Sequence, residues 1–212
     1  MKIVVFGGSS GTGLHLVEQA LAEGHEVTAF ANIPSAVAIQ NPRFHFIHGN
    51  VFDLTDVEAA ISGQDAVLCT LGVRPGSTTP VCSKGTENII AAMKKLGVKR
   101  FICQSGFMVA ALDGEKREVS WVYPVILPFF PKVKTMFADK ILQEQAIEQS
   151  DLDWVIVRPA RLTDTARTGH YEVGVPLSMG LNAKIARADV ADFMLKQVSN
   201  DKYLHQVPRI RY

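Results

Sequence analysis

Apolar positions along the chain fall into two rhythms that alternate from one end to the other. Short runs of mostly apolar residues at 3–6, 26–31, 44–47, 66–71, 100–104 and 154–158 read as strands, too short for helices and rich in Val, Ile and Phe. Between them lie segments with apolar residues three or four apart. A helix from about Thr12 carries Leu14, Val17 and Leu21 until Gly24 stops it, and Thr55 with Glu58 offers a capping box to a short helix ending near Gly63. A further helix carries Ile89, Ile90, Met93 and Leu96 before Gly97, and others are predicted over about 135–149 and 188–198, ahead of a short C-terminal run. Strands buried on both faces and alternating with helices predict a single-domain α/β fold over residues 1–212, a Rossmann-like doubly wound parallel sheet.

That topology predicts where a ligand lies, because open doubly wound sheets bind at the carboxyl ends of their strands, near the switch in strand order. The first strand runs into Gly7, Gly8, Gly11 and Gly13 and then into a helix, the opening of a dinucleotide-binding βαβ unit. Gly7 permits the tight turn, Gly11 lets bare backbone approach a pyrophosphate, and Gly13 lets the helix sit close to the strand; the first helical turn, with Thr12, presents its N–H groups to phosphate. Ser9 and Ser10 are phosphate donors or ordinary turn residues. The remaining strand ends present Asn32, Asn50 with Val51, Leu71 with Gly72, Gln104 with Ser105, and Pro159 to Arg161. Asn50 and Val51 stand either against an adenine or in a plain strand-ending turn.

Asn32 occupies the place where an acidic side chain would hold the ribose 2′-hydroxyl of NAD. An amide neither repels a 2′-phosphate nor attracts one, so coenzyme choice stays open. The reaction is narrowed by a missing group. Alcohol oxidation by a Tyr-x-x-x-Lys relay needs a Tyr four residues before its Lys, and Met136 stands there relative to Lys140. Lys140 itself is expected to be a solvated helix residue paired with Glu144.

Composition changes this picture only by exclusion. With 47% hydrophobic residues, 22 basic and 21 acidic side chains and a net charge of +1, the chain has material for one substantial core and no field to attract nucleic acid or anionic lipid. A small-molecule substrate, no metal and a monomer or weak homo-oligomer are expected. Three cysteines, with Cys69 and Cys103 in apolar strands, suit a reducing compartment, and the absence of a signal-like or membrane-spanning apolar run makes the cytoplasm the expected location.

The segments FGGSSGTGLHLVEQALAEGHEVTAF, SGQDAVLCTLG, KGTENIIAAMKKLGVKRFICQSGF, LDWVIVRPARLTD and ARADVADFML, spread in order over nearly the whole chain, resemble the atypical short-chain dehydrogenase/reductase family, in particular its biliverdin-IXβ reductase and flavin reductase type. The resemblance implies hydride transfer from NADPH, with NADH not excluded, to a flat conjugated bilin or flavin. A non-catalytic NAD(P)-binding redox sensor or assembly factor of the same group is the alternative, and a sugar-nucleotide epimerase is disfavoured by Met136 and the short C-terminal region. By the same resemblance Ser105 lies beside nicotinamide and acceptor, orienting the latter, unless it merely caps the strand end. Phe107, Pro159 and Arg161 fall on the substrate side. Arg161 stands where similar mammalian members carry His, and either clamps a propionate or phosphate or forms a surface ion pair.

Two departures are visible. The glycine spacing is Gly7-x-x-x-Gly11-x-Gly13 and not the family's usual G-x-x-G-x-x-G, and Asn32 replaces the Arg that follows strand two in NADPH-using relatives. A substrate-side insertion is expected over about 106–134. Within it, residues 118–134 hold Pro124, Pro128 and Pro131, which exclude a regular helix; the stretch reads as an apolar lid or wall, with a packed loop, a subunit contact or a membrane-surface contact as competitors.

Overall fold

Lys2–Phe6 (β1) pairs in parallel with Glu26–Ala31 (β2) on one side and Ala66–Cys69 (β4) on the other. This computed structural model describes residues 1–33, 39–73, 79–109, 131–180 and 182–212, and the side chains of the helix 131–148 from Phe137 onward. Phe44–His48 (β3), Arg100–Gln104 (β5), Asp153–Pro159 (β6), Glu172–Gly174 (β8) and Arg209–Arg211 (β10) complete an eight-stranded sheet of order β3-β2-β1-β4-β5-β6-β10-β8, in which β8 alone runs antiparallel to its neighbour. Arg161–Thr163 (β7) and Lys184–Ala186 (β9) form a small parallel pair beside it. Gly11–Ala22 (α1), Leu54–Ile61 (α2), Val81–Leu96 (α3), Pro131–Glu148 (α4) and Arg187–Lys196 (α5) cover the two faces.

The alternation along β1 shows how the layers divide. Ile3 and Val5 pack with Leu16 and Val17 of α1 and Val190 and Met194 of α5, while Val4 and Phe6 pack with Val57 of α2, Ile89 and Met93 of α3 and Ile147 of α4. Every one of these side chains is buried. Successive strand residues point to opposite faces, so a run apolar at each position supports helices on both sides. Because strand order reverses between β1 and β4, the loops after these two strands diverge and leave a crevice at their carboxyl ends.

Several element boundaries correct the sequence reading. The cap of α2 is Asp53, whose carboxylate accepts from Thr55 N at 2.8 Å, and not Thr55. β4 ends at Cys69, with one further ladder bond from Thr70 N to Phe6 O, and Leu71 has already left the sheet. α4 begins at Pro131, inside the stretch expected to be non-helical: proline has no N–H to lose at a first helical position, where its fixed φ suits the helix. The rest of the lid reading, residues 118–130, lies outside the described residues.

The first turn of α5 is tied down by one carboxylate. Asp189 accepts from Thr168 N, Gly169 N, Thr168 Oγ1 and Tyr212 Oη at 2.6–3.0 Å. Burial alone raises its pKa, but the hydrogen bonds from Tyr212, Gly169 and Thr168 outweigh that and bring it below the ordinary value. Stability from this group is therefore complete above the unfolded carboxylate pKa near ~4 and is lost as pH falls through the lower folded value. Asp189→Asn is expected to lower stability by about 2 kcal/mol at pH 7, with the gap to wild type narrowing below about pH 4. Urea unfolding at both pH values checks it; a gap independent of pH contradicts it.

Candidate functional site

The glycine loop is built for close approach. Gly7 has φ +82° and donates to Phe30 O at 3.0 Å, turning the chain sharply off β1. A Cβ added to Gly13 would lie 2.1 Å from Gly7 O and 2.6 Å from Thr70 Oγ1, so the first turn of α1 sits directly on the loop that precedes it. Ser10 is the N-cap, in extended conformation, and its side chain makes no capping hydrogen bond. The first-turn N–H groups, including those of Gly11, Thr12 and Gly13, thus have no side-chain cap and form a preorganised anion cradle. Thr12 and Gly13 are buried, whereas Ser10 and Gly11 are exposed at the mouth.

At the β2 and β3 ends, Asn32 is exposed and its carbonyl pairs with His48 Nε2 at 3.1 Å. Asn50 uses its side-chain oxygen locally, accepting from Phe52 N at 3.1 Å, while Asp56 receives Asn50 N at 2.8 Å. Its amide nitrogen is what remains for a ligand. Val51 and Leu71 come together over Gly85 of α3, where a Cβ would meet Leu71 Cδ1 and Val51 Cγ2 at 2.9 Å each. The sequence reading placed both residues in the site but missed the glycine that lets them meet. Gly72 has open space around its Cα.

Lys140 overturns its expected role. It is buried, not solvated, and its ammonium donates to Leu71 O at 2.8 Å, Gln104 O at 2.9 Å and Gln143 Oε1 at 2.8 Å. Gln143 in turn donates to Thr86 Oγ1 at 2.7 Å. Glu144, its expected partner, is instead held by Arg158, with Nη2 to Oε2 at 2.6 Å in a pair almost fully removed from water. Asp139 caps α3 through Cys82 N, Ser83 N and Ser83 Oγ. One face of α4, Asp139, Lys140, Gln143 and Glu144, is thus a buried polar strip. The visible signal was this i, i+3, i+4 spacing of polar residues on a helix with apolar sheet to cover.

Three thiols surround that lysine. Cys69 and Cys103 are register partners on β4 and β5, and with Cys82 they are buried and free, though Cys69 also accepts from Gln143 Nε2 and so does more than fill apolar space. A hydrogen bond from Cys103, together with the Lys140 charge, brings Cys69 below its ordinary pKa against the effect of burial. Burial pushes Cys82 up to about 11 and Cys103 well above its usual value. Burial also pulls against the charge of Lys140, but the neighbouring thiols and Glu144 outweigh it and its pKa is raised, so the ammonium stays charged at neutral pH.

On the substrate side, Ser105 continues the β5 ladder, donating from its backbone to Val157 O at 2.8 Å. Its hydroxyl is buried, with the residue 6% exposed, and has no hydrogen-bond partner among the described residues. Phe107 N bonds Pro159 O at 3.2 Å, and Pro159 pairs with Ile210 of β10. Both are packed into the structure: Phe107 contributes its ring to the core beneath α1 and α5, so little of either faces a ligand. Arg161 is exposed at the start of β7, just beyond these strand ends, and no side-chain partner is seen for it among the described residues.

Residues 7–201 match the family model described as NAD(P)H-binding. The chain belongs to that family. A chloroplastic Arabidopsis thaliana protein, itself uncharacterized, is 28% identical over 99% of this chain and 76% of its own length. Among solved structures, ChuY, an anaerobilin reductase from Escherichia coli O157:H7, superposes with a TM-score of 0.80 at 22% identity, covering 99% of this chain and 96% of that one. A Veillonella parvula short-chain dehydrogenase/reductase in complex with NADP gives a TM-score of 0.76 at 16% identity over 99% and 93% of the two chains. The structural likenesses show a Rossmann fold. The glycine loop of this NAD(P)H-binding protein fits such a cofactor on its own geometry, through the tight Gly7–Gly13 contact and the uncapped start of α1. No helix among the described residues is long and apolar enough to cross a membrane.

Proposed function

We propose that the protein is an NADPH-dependent reductase that passes hydride to a planar conjugated acceptor, a bilin or a flavin. The observation that carries this reading is Lys140. All three of its N–H donors are spent on Leu71 O, Gln104 O and Gln143, so it has none left to assist a proton relay, and the chain has Met136 where the relay's Tyr would stand. A site without that relay suits an acceptor whose added charge spreads over a large π-system and is protonated from solvent. The cofactor supplies hydride from its reduced nicotinamide. Gly7, Gly11, Thr12 and Gly13, with Ser9 and Ser10 at the turn, would hold its phosphates, Val51 and Leu71 its apolar edges, and Asn32 and Asn50 its adenosine hydroxyls and base. Gly72 leaves room beside them.

Ser105 is the residue proposed to touch the acceptor. Its hydroxyl is buried and unpartnered among the described residues, a cost relieved when an acceptor carbonyl or ring nitrogen takes its hydrogen bond. Arg161 carries a permanent fork of donors suited to a propionate or phosphate at the rim. Phe107 and Pro159 act behind the site, positioning the β5 and β6 ends. Mixing pure protein with NADPH and biliverdin or FMN is expected to give acceptor-dependent loss of nicotinamide absorbance. If neither acceptor nor a quinone accelerates it while NADPH binds, the catalytic reading fails. Ser105→Ala is expected to lower kcat about tenfold, and Arg161→Ala to raise KM for an acidic acceptor about tenfold with kcat little changed. Unchanged kinetics in both variants removes these two residues from the site.

A further inference from the structure

Gly11 is exposed at the start of α1 with φ +54°, and the nearest atoms to a Cβ built on it belong to Arg187, whose Cδ and Nε both lie 3.6 Å away. Arg187 opens α5. That helix packs along α1, and Gln19 Nε2 donates to Ala188 O at 2.9 Å, which pins the first turn of α5 against the second half of α1, from where the Arg187 side chain reaches Gly11. The guanidinium is held by Asp164, Nη1 to Oδ1 at 2.6 Å, with about a quarter of the Arg187 side chain (28%) exposed. Only one of its nitrogens is engaged among the described residues, and its Nε edge faces the loop. A charged fork and the uncapped first turn of α1 therefore point positive charge at the same place.

The packing also decides which phosphate this arm meets. α5 lies against α1, β5 and β9, on the β4–β5 side of α1, whereas the adenosine 2′ position is met at the end of β2, on the opposite side. No basic residue stands between Asn32 and Ala38. We infer that Arg187, presented by Asp164 beside Gly11, clamps the cofactor diphosphate and is indifferent to the 2′-phosphate. The inference rests on the nicotinamide dinucleotide alone and does not depend on which acceptor is reduced.

Titration of the full chain with NADPH, NADH and ADP-ribose, following nucleotide fluorescence for the first two and heat for the third, tests it without turnover. Arg187→Gln is expected to weaken all three about tenfold or more and in like proportion, since each carries the diphosphate and loses the same charge-assisted bonds. Arg187→Lys keeps the charge and loses the fork, so a shared loss of about threefold is expected; this variant carries the test if the glutamine variant does not fold. A loss confined to NADPH would make Arg187 a 2′-phosphate reader and overturn the inference. Unchanged binding in both variants would reduce Arg187 and Asp164 to a surface ion pair and overturn it too. Wild-type protein that binds none of the three ligands overturns it together with the cofactor assignment, a result distinct from the other two.

Discussion

Gly13→Ala is expected to abolish dinucleotide binding and to destabilise the fold by about 3 kcal/mol. The added methyl would lie 2.1 Å from Gly7 O and 2.8 Å from Gly7 C, both backbone atoms of the loop proposed to carry the phosphates. Neither neighbour can rotate away, so the start of α1 must lift off the loop. Overpacking in a closed core costs about 1–3 kcal/mol, and here the displaced backbone is also the proposed binding surface. Urea unfolding and NADPH titration measure the two effects separately, with Gly180→Ala as the control, since a Cβ at Gly180 meets nothing within 4 Å. Normal binding by Gly13→Ala would mean that α1 does not sit on the loop in solution.

Lys140→Met is expected to lower stability by about 3 kcal/mol and, in the protein that still folds, to weaken both NADPH binding and turnover. The ammonium bridges Leu71 O after β4 and Gln104 O at the end of β5, the two strand ends between which the nicotinamide would sit in the proposed site. Methionine fills the methylene path but gives no donor, leaving Gln143 Oε1 without its partner and Leu71 O and Gln104 O with only the weak thiol donors Cys82 and Cys103, at about 1–3 kcal/mol for an unsatisfied buried group. Thermal unfolding, NADPH affinity and the pH profile of turnover together read the result. A variant with wild-type stability and affinity but no turnover would make Lys140 a chemical participant and not a strut.

Much of the fold was legible because its signals are local. Apolar runs, helical spacing and glycine stops located β1, β2, β5 and α1 within a residue or two, and the glycine pattern pointed to the tight turn at Gly7 and the close seat of α1 upon it. The strands β7, β8 and β9 were not legible: each has three residues, too few for any period to show, and each is defined by pairing with chain far away. α4 began earlier than expected because Pro131 was read as a breaker, although a proline at the first helical position loses no hydrogen bond.

The site divides in the same way. Gly7 to Gly13, the neutral Asn32 and the Met136 in place of a Tyr are properties of residue type and spacing, which the sequence by itself determined. What the buried polar groups do was decided only by tertiary structure. A lysine four residues before a glutamate reads as a solvated helix pair, yet packing α4 under β4 and β5 draws Glu144 to Arg158 and leaves the ammonium to two strand-end carbonyls. Arg187 likewise meets Gly11 only because α5 and α1 share one face of the sheet. Local pattern specifies which elements form, since it reports each residue's own preference for water or core. Which charge ends beside which carbonyl depends on how those elements stack, and no short window of sequence contains that information.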